Sequence, residues 1–321
     1  MALPLVLDDV LAARSTISGR VHRTPTFRSR TLSELTGANV FLKAELFQRT
    51  GSFKPRGVFT KLASLTAEEK ARGVISISAG NHAQALAYAA AVEGISAHVV
   101  MWATASPLKI GATREYGATV DTEAADPGEA FDRLEDLIAE TGRTLVHPFD
   151  DPLVQAGQGT VGLELCEDVP HVDTVLVPVG GGGLISGVAT AVKGRRPQAR
   201  VIAVEPERSP ALHEALKAGR QVRVDPTSVA DGLGAPFAGE NALTVCRELV
   251  DESVLVTEDA IEAAFRFLYA RAKLACEPAG AAATAALLSG AIGVSARETV
   301  VVIVSGGNVG AEQAAAILSR P

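Results

Sequence analysis

Cysteine is scarce in this 321-residue chain, and the three present, Cys166, Cys246 and Cys276, lie far apart with no CxxC pair and no histidine cluster beside them. That spacing excludes an ordinary zinc site and a disulfide framework, and suits buried thiols in a reducing compartment. Aromatic residues are also few, 4% with a single Trp, so the stacking platform that single-stranded nucleic acid needs is missing. There is no basic excess either. Lys and Arg number 30 against 37 Asp and Glu, a net charge of −7, and no nucleic-acid partner is expected, although a local basic pocket for one small phosphate remains compatible. The N-terminal MALPLVLDDV has no Lys or Arg before Arg14 and is interrupted by Asp8 and Asp9, so no export signal is read and a cytoplasmic location is expected. Two uncharged stretches, Thr174 to Val192 and Pro278 to Ala296, have the length of a membrane span. The first carries Pro178 and four consecutive glycines and the second is mostly alanine, so both read as buried soluble elements and no membrane partner is expected.

What the chain does have is core-forming material, 47% apolar against 21% charged residues, and a length that suits two domains or one large α/β unit. Asp9 precedes an apolar-periodic segment ending at Gly19, and Ser29 precedes one ending at Gly37, which predicts two short capped helices. From Asn39 to Glu45 onward, β-branched runs beginning near Val74, Ala97, Thr144, Thr174, Arg200, Ser253 and Thr299 alternate with segments of helical length. Near-continuous apolar strands between helices predict an α/β fold of open, mostly parallel sheets with helices on both faces. The stretch from Ala71 to Phe149 holds its own βαβαβ succession, and Asp150-Asp151-Pro152 supplies a turn after it. The predicted division is a large domain of residues 1–68 and 150–321 with a smaller α/β domain, 69–149, inserted.

Three strands end in Gly-rich or small polar turns that open a helix: SISAGNH (Ser76 to His82), VPVGGGGLISG (Val177 to Gly187) and IVSGGNVG (Ile303 to Gly310). In open parallel sheets such turns gather at the carboxyl edge, where ligands bind. The run Gly180, Gly181, Gly182, Gly183 lets backbone N–H groups approach a ligand too closely for any Cβ, and the helix that follows favours an anion such as a phosphate. It is neither a dinucleotide fingerprint nor a P-loop, since no GxGxxG opens a first βαβ unit and no Gly-Lys-Ser/Thr follows. A fourth segment, FQRTGSFKPRG (Phe47 to Gly57), has Thr50 and Ser52 as candidate helix caps and Pro55 in the first turn. Lys54 would then sit where the helix macrodipole disfavours a cation, beside an apolar wall offered by Phe53. A lysine with a lowered pKa is what imine formation with an aldehyde requires. Spacing alone does not separate it from an ordinary solvated lysine, as Lys43 and Lys109 illustrate.

FQRTGSFKPRG, SAGNHAQALA, VPVGGGGLISGVA, AVEP, CEPAGA and VSGGNVG, in that order between Val21 and Gln313, together resemble the serine/threonine dehydratase family of fold-type-II pyridoxal phosphate enzymes. The resemblance implies pyridoxal 5'-phosphate as cofactor, Lys54 as the lysine that carries it and as the catalytic base, Phe53 beside its ring, and Gly180 to Gly183 around its phosphate. It implies Asn81 at the ring hydroxyl, Ser305 at the pyridine nitrogen, and Ser78, Asn81 and His82 on the turn that holds the substrate carboxylate. Each has a plainer rival: Ser78, Asn81 and His82 also make an ordinary N-capping cluster, Ser305 also reads as a cap, and Glu205 and Glu277 are compatible with solvent exposure or a place near the pocket.

The activity so implied is β-elimination of L-threonine or L-serine to a 2-oxo acid and ammonia, with a homodimer expected by family analogy. Racemase or hydroxyaspartate-type lyase activity on the same scaffold is the alternative. A neutral Ser305 hydroxyl does not hold the pyridine nitrogen protonated as a carboxylate would, which favours elimination over transamination. Serine-racemase-like members place a divalent cation near the residue matching Glu205, but their aspartate is Ala211 here, and one carboxylate is a poor cage. No metal is expected. Where racemases of the family carry a proton-donating serine the turn has Ala79, whose methyl donates nothing, and strand alternation would turn Ser78 away. The chain also stops soon after Gly310, so no feedback by isoleucine is expected.

Overall fold

The computed structural model describes residues 3–320. Its strands, in chain order, are β1 (Thr26–Arg28), β2 (Asn39–Ala44), β3 (Val74–Ile77), β4 (Ala97–Trp102), β5 (Thr119–Ala124), β6 (Thr144–Leu145), β7 (Thr174–Pro178), β8 (Arg200–Pro206), β9 (Glu252–Val256) and β10 (Thr299–Val304). Six of them form one sheet in the order β1-β2-β10-β7-β8-β9, and the remaining four a second sheet, β5-β4-β3-β6. Every strand pairing is parallel except β1 against β2.

The apolar runs explain why both faces of the larger sheet are covered. Successive strand residues point to opposite faces, and here they enter two separate cores. Leu176, Ile202, Val204, Val300 and Val302 pack with Phe265, Ala282 and Leu287 on one side. Val175, Val177, Val201, Ala203, Val301 and Ile303 pack with Val161, Ile185 and Val188 on the other. In the smaller sheet Val74, Val99 and Met101 face one core and Ile75, Ile77 and Val100 another. Neither sheet leaves a greasy face to solvent, as the near-continuous apolar strands require.

Two strands escape the sequence pattern. β1 has three residues, and β5 reads TVDTEA, so the smaller sheet has four strands where the apolar runs predict three. Both are edge strands, where polar side chains are tolerated and an acid discourages foreign pairing; Asp121 of β5 is held by Arg133 at 2.9 Å. The first helix is corrected too. It spans Leu7–Thr16, beginning before Asp9, whose carboxylate reaches back to accept from the Val6 N–H at 2.9 Å. The helix Arg30–Thr36 is capped as predicted, Ser29 accepting from Leu32 N–H and Gly37 closing it in the left-handed conformation. The two uncharged stretches become β7 with the helix Gly183–Arg195, and the helix Pro278–Leu288. Among the described residues no helix is long and apolar enough to cross a membrane.

One polar cluster lies inside the larger unit. The fully buried Arg56 guanidinium grips Glu45 (2.8 and 2.9 Å) and Glu164 (2.7 and 2.9 Å), and the buried Lys43 ammonium meets Glu164 at 2.6 Å. Two cations against two anions leave the cluster neutral, which is what allows it to be buried. It ties β2, the helix Pro55–Ala63 and the helix Pro152–Asp168 together, two residues from Lys54.

Candidate active site

The segment before Lys54 is shaped by the far end of the chain. Phe53 N–H donates to the Ser305 carbonyl at 3.2 Å, Gly307 N–H donates to the Gly51 carbonyl at 2.9 Å, and Ser52 bridges Gly306. The turn after β10 thus lies alongside the lysine segment in antiparallel fashion. Neither Thr50 nor Ser52 caps the helix that follows. Thr50 sits at φ 59°, Ser52 is extended, both hydroxyls are buried with no partner among the described residues, and Lys54 itself stands at the N-cap position of Pro55–Ala63. The Lys54 pKa is lowered from 10.5 to about 8, with burial the leading cause, and Glu277 pulls it back up. Its amine donates to the Pro148 carbonyl at 2.8 Å and lies 5.2 Å from the Phe53 ring centroid.

After β3, the turn Ser78–His82 leads into the helix Asn81–Val92, whose N-cap residue is Gly80 and whose first turn receives no side-chain cap. The capping role offered to Ser78, Asn81 and His82 is therefore unfilled. Ser78 Oγ accepts from Gly80 N–H at 3.2 Å. Asn81 Nδ2 donates to Glu277 Oε1 at 2.6 Å. The His82 ring is buried, its Nε2 pairs with the Val146 carbonyl at 3.0 Å, and burial lowers its pKa to about 3. A neutral ring that donates at Nε2 keeps only an acceptor at Nδ1, which has no partner among the described residues. The His82 side chain is thus unsuited to a carboxylate, which leaves the backbone N–H groups, the Ser78 hydroxyl and the Asn81 amide as the donors of this turn.

The glycine run follows β7 and opens the helix Gly183–Arg195, again without a side-chain cap. A Cβ at Gly181 would fall 2.3 Å from the Phe149 ring, one at Gly180 3.1 Å from the Leu233 backbone, and one at Gly182, where φ is +94°, 2.5 Å from Ala242. Gly181 and Gly182 have no room for a side chain, and Gly180 has little.

A cavity of about 900 Å³ opens between the two sheets' carboxyl edges, and its wall includes Lys54, Ser78, Ala79, Asn81, His82, Gly181 and Glu277. Both Ser78 and Ala79 border it, where strict strand alternation predicts one, because β3 ends at Ile77 and the pleat ends with it. Phe53, Gly180, Gly182, Gly183 and Ser305 lie behind this wall; Phe53 packs into the apolar core with Val177 and Val179, and Ser305 is buried at the end of β10. Glu277 is buried as well, and burial raises its pKa to about 7, with Asn81 opposing. Glu205 stands apart: both carboxylate oxygens accept backbone N–H groups, from Leu212 and His213, each at 2.7 Å, at the head of the helix Ala211–Ala218.

Local sequence showed no pairing for several residues at the site. Lys109 of the smaller unit pairs with Asp231 of the larger one at the cavity rim. Phe149 meets Phe237 edge-on at 5.7 Å, and Phe237 in turn meets Phe131 at 6.2 Å, an aromatic row between the two units. Asn308 reaches Thr50 and Asn81; its presence in the VSGGNVG turn was visible, its partners were not.

A family model described as pyridoxal-phosphate dependent enzyme matches residues 17–306. The chain is 45% identical over 307 residues to the L-threonine ammonia-lyase of Thermotoga maritima, covering 95% of this chain and 76% of that protein. The threonine deaminase of T.th. superposes with a TM-score of 0.89 at 42% identity, covering 95% of this chain and 99% of that one. The serine racemase of maize superposes with a TM-score of 0.93 at 37% identity, covering 96% and 95%.

Proposed function

Because the chain belongs to the pyridoxal-phosphate dependent enzymes, we propose that the cavity converts L-threonine, and L-serine with it, to the 2-oxo acid and ammonia by β-elimination. The enzyme is pyridoxal phosphate dependent and adopts the fold-type-II architecture of its structural relatives. The single observation that carries the reading is Lys54, a half-buried amine on the wall of the cavity with its pKa lowered to about 8.

The residues present fit the cofactor. The glycine run keeps its backbone bare of side chains, since a Cβ there would meet Phe149, Leu233 or Ala242, the helix behind it leaves its first-turn N–H groups without a side-chain cap, and the lysine amine has a lowered pKa. Lys54 would hold the cofactor aldehyde, Gly180 to Gly183 its phosphate, Asn81 its ring hydroxyl and Ser305 its ring nitrogen, with Phe53 behind the ring. When bound, the cofactor supplies the electron sink that makes the substrate Cα proton removable.

The chain's own part is then proton handling and placement. Backbone N–H groups of the Ser78–His82 turn, at an uncapped helix N-terminus, attract the substrate carboxylate. The Lys54 amine, neutral above about pH 8, takes the Cα proton. Loss of the β-hydroxyl as water and hydrolysis of the remaining C–N bond give 2-oxobutanoate from threonine or pyruvate from serine, with ammonia. Glu277, neutral or charged near pH 7, stays within hydrogen-bond reach of Asn81. Removal of a proton from one face needs one base, whereas racemisation needs a donor on the other. Ala79 on the cavity wall lacks one, which favours the lyase over the racemase reading. We further assign the division of residues 1–68 with 150–321 and 69–149 to cofactor and substrate-loop units, and the active form to a cytoplasmic homodimer.

The test is turnover of L-threonine and L-serine by the purified holoenzyme, with keto acid, ammonia and D-amino acid scored together. Keto acid with equimolar ammonia is expected. D-serine formed as fast as pyruvate would replace this reading with the racemase.

A further inference from the structure

The Asn308 side chain fits no role assigned so far, yet it touches two of the four motifs that build the site. Its Nδ2 donates to the Thr50 carbonyl at 2.7 Å and to Asn81 Oδ1 at 2.8 Å. Thr50 is held at φ 59°, and the neighbouring Gly51, at φ +72°, has no room for a Cβ because Asn308 Oδ1 would lie 2.4 Å from it. The lysine segment is therefore folded tightly around this one amide.

The orientation of each amide follows from its partners. A backbone carbonyl only accepts, so the Asn308 atom facing Thr50 is nitrogen. The second hydrogen of that nitrogen reaches Asn81, so the Asn81 atom receiving it is oxygen. The Asn81 nitrogen is left to face the other way, where it donates to Glu277 Oε1 at 2.6 Å on the cavity wall. Asn308, Asn81 and Glu277 thus stand in one hydrogen-bonded chain. We infer that Asn308 is a positioning residue that locks the Asn81 amide with its N–H donors toward the cavity, so that Asn81 meets the ring oxygen of pyridoxal phosphate as a donor and never as an acceptor.

This inference rests on the cofactor reading of the cavity, and its test separates the two. Apoprotein of the wild type, Asn308→Ala, Asn81→Ala and the double variant is titrated with pyridoxal phosphate by visible absorption, with Tm measured on each. One neutral hydrogen bond is worth roughly a three- to tenfold change in affinity, so each single variant should lose cofactor affinity by about that factor. Because Asn308 acts through Asn81, the double variant should match Asn81→Ala alone. Losses that multiply in the double variant would overturn the inference, as would an Asn308→Ala protein with unchanged affinity and absorption band. The isosteric Asn308→Asp covers the case in which alanine fails to fold: it cannot donate to Asn81 Oδ1, and its bound-cofactor band should move as the Asn81→Ala band does. A wild-type apoprotein that takes up no pyridoxal phosphate would overturn the cofactor reading itself.

Discussion

The amine of Lys54 donates to the carbonyl of Pro148 at 2.8 Å, 94 residues further along the chain. Pro148 lies just beyond β6 on the path out of the smaller sheet, so the lysine is pinned to the segment that rejoins the two units. Burial around the amine brings its ionisation down to about pH 8, with Glu277 the charge that opposes the shift.

Cofactor uptake by the apoprotein should follow that ionisation. The protonated amine cannot attack an aldehyde, so the uptake rate should rise with pH and level off above about 8, where an ordinary lysine would need about 10.5. In Glu277→Gln the supporting negative charge is gone and the midpoint should move to lower pH. Stopped-flow absorption across pH 6 to 10 reads both. Lys54→Ala should lose the visible band and about 10²–10⁴-fold in threonine turnover, the range for a positioned acid–base group.

Gly181 has the Phe149 ring where a side chain would begin. Gly181→Ala should cost about 1–3 kcal/mol by overpacking and weaken cofactor affinity at the same time. Pairing it with Phe149→Leu should cost less than the sum of the two single changes, since the clash is shared. Urea unfolding of the three variants gives the cycle, and strict additivity would count against the contact.

Arg56→Met should destabilise by about 3–5 kcal/mol, because it leaves Glu45 and Glu164 in the interior with Lys43 alone to balance two carboxylates. Burial pushes the Glu45 carboxyl up, but Arg56 and Lys43 outweigh it and hold the carboxyl below the ordinary 4.5. That depressed group stabilises the fold above about pH 4.5, and its contribution is lost as pH falls further. Without Arg56, burial wins and the sign reverses, so the variant's deficit should be larger at pH 8 than at pH 5. Denaturation midpoints at both pH values check this.

Ala79→Ser places a hydroxyl on the cavity wall. It should add D-serine formation from L-serine to the pyruvate and ammonia proposed for the unmodified protein. Chiral chromatography of the two proteins side by side reads the gain. A wild type that already racemises as fast as it eliminates would show that Ala79 is not the deciding side chain.

The α/β class and the glycine turn that opens the helix Gly183–Arg195 were legible in the residues because both depend on short-range rules. Period-two apolar runs such as Thr299–Val304 assign their own faces, and four glycines after a buried strand leave little choice of backbone. The edge strand Thr119–Ala124 was illegible for the opposite reason: its acids satisfy a position at the sheet's rim that no local pattern announces.

Lys54 shows where such reading stops. Its motif singles it out, but the leading cause of its lowered pKa is one that local spacing does not carry. That cause is burial, and burial is decided by Pro148, Glu277 and the core behind Phe53, all distant in sequence or in the interior. The same holds for Asn308 and Thr50, 258 residues apart. Local spacing carries backbone conformation and the order of turns. Which buried polar atom finds which partner depends on the parallel sheet bringing β10 beside β2, since only that pairing lays the last turn of the chain against the lysine segment and so closes the site.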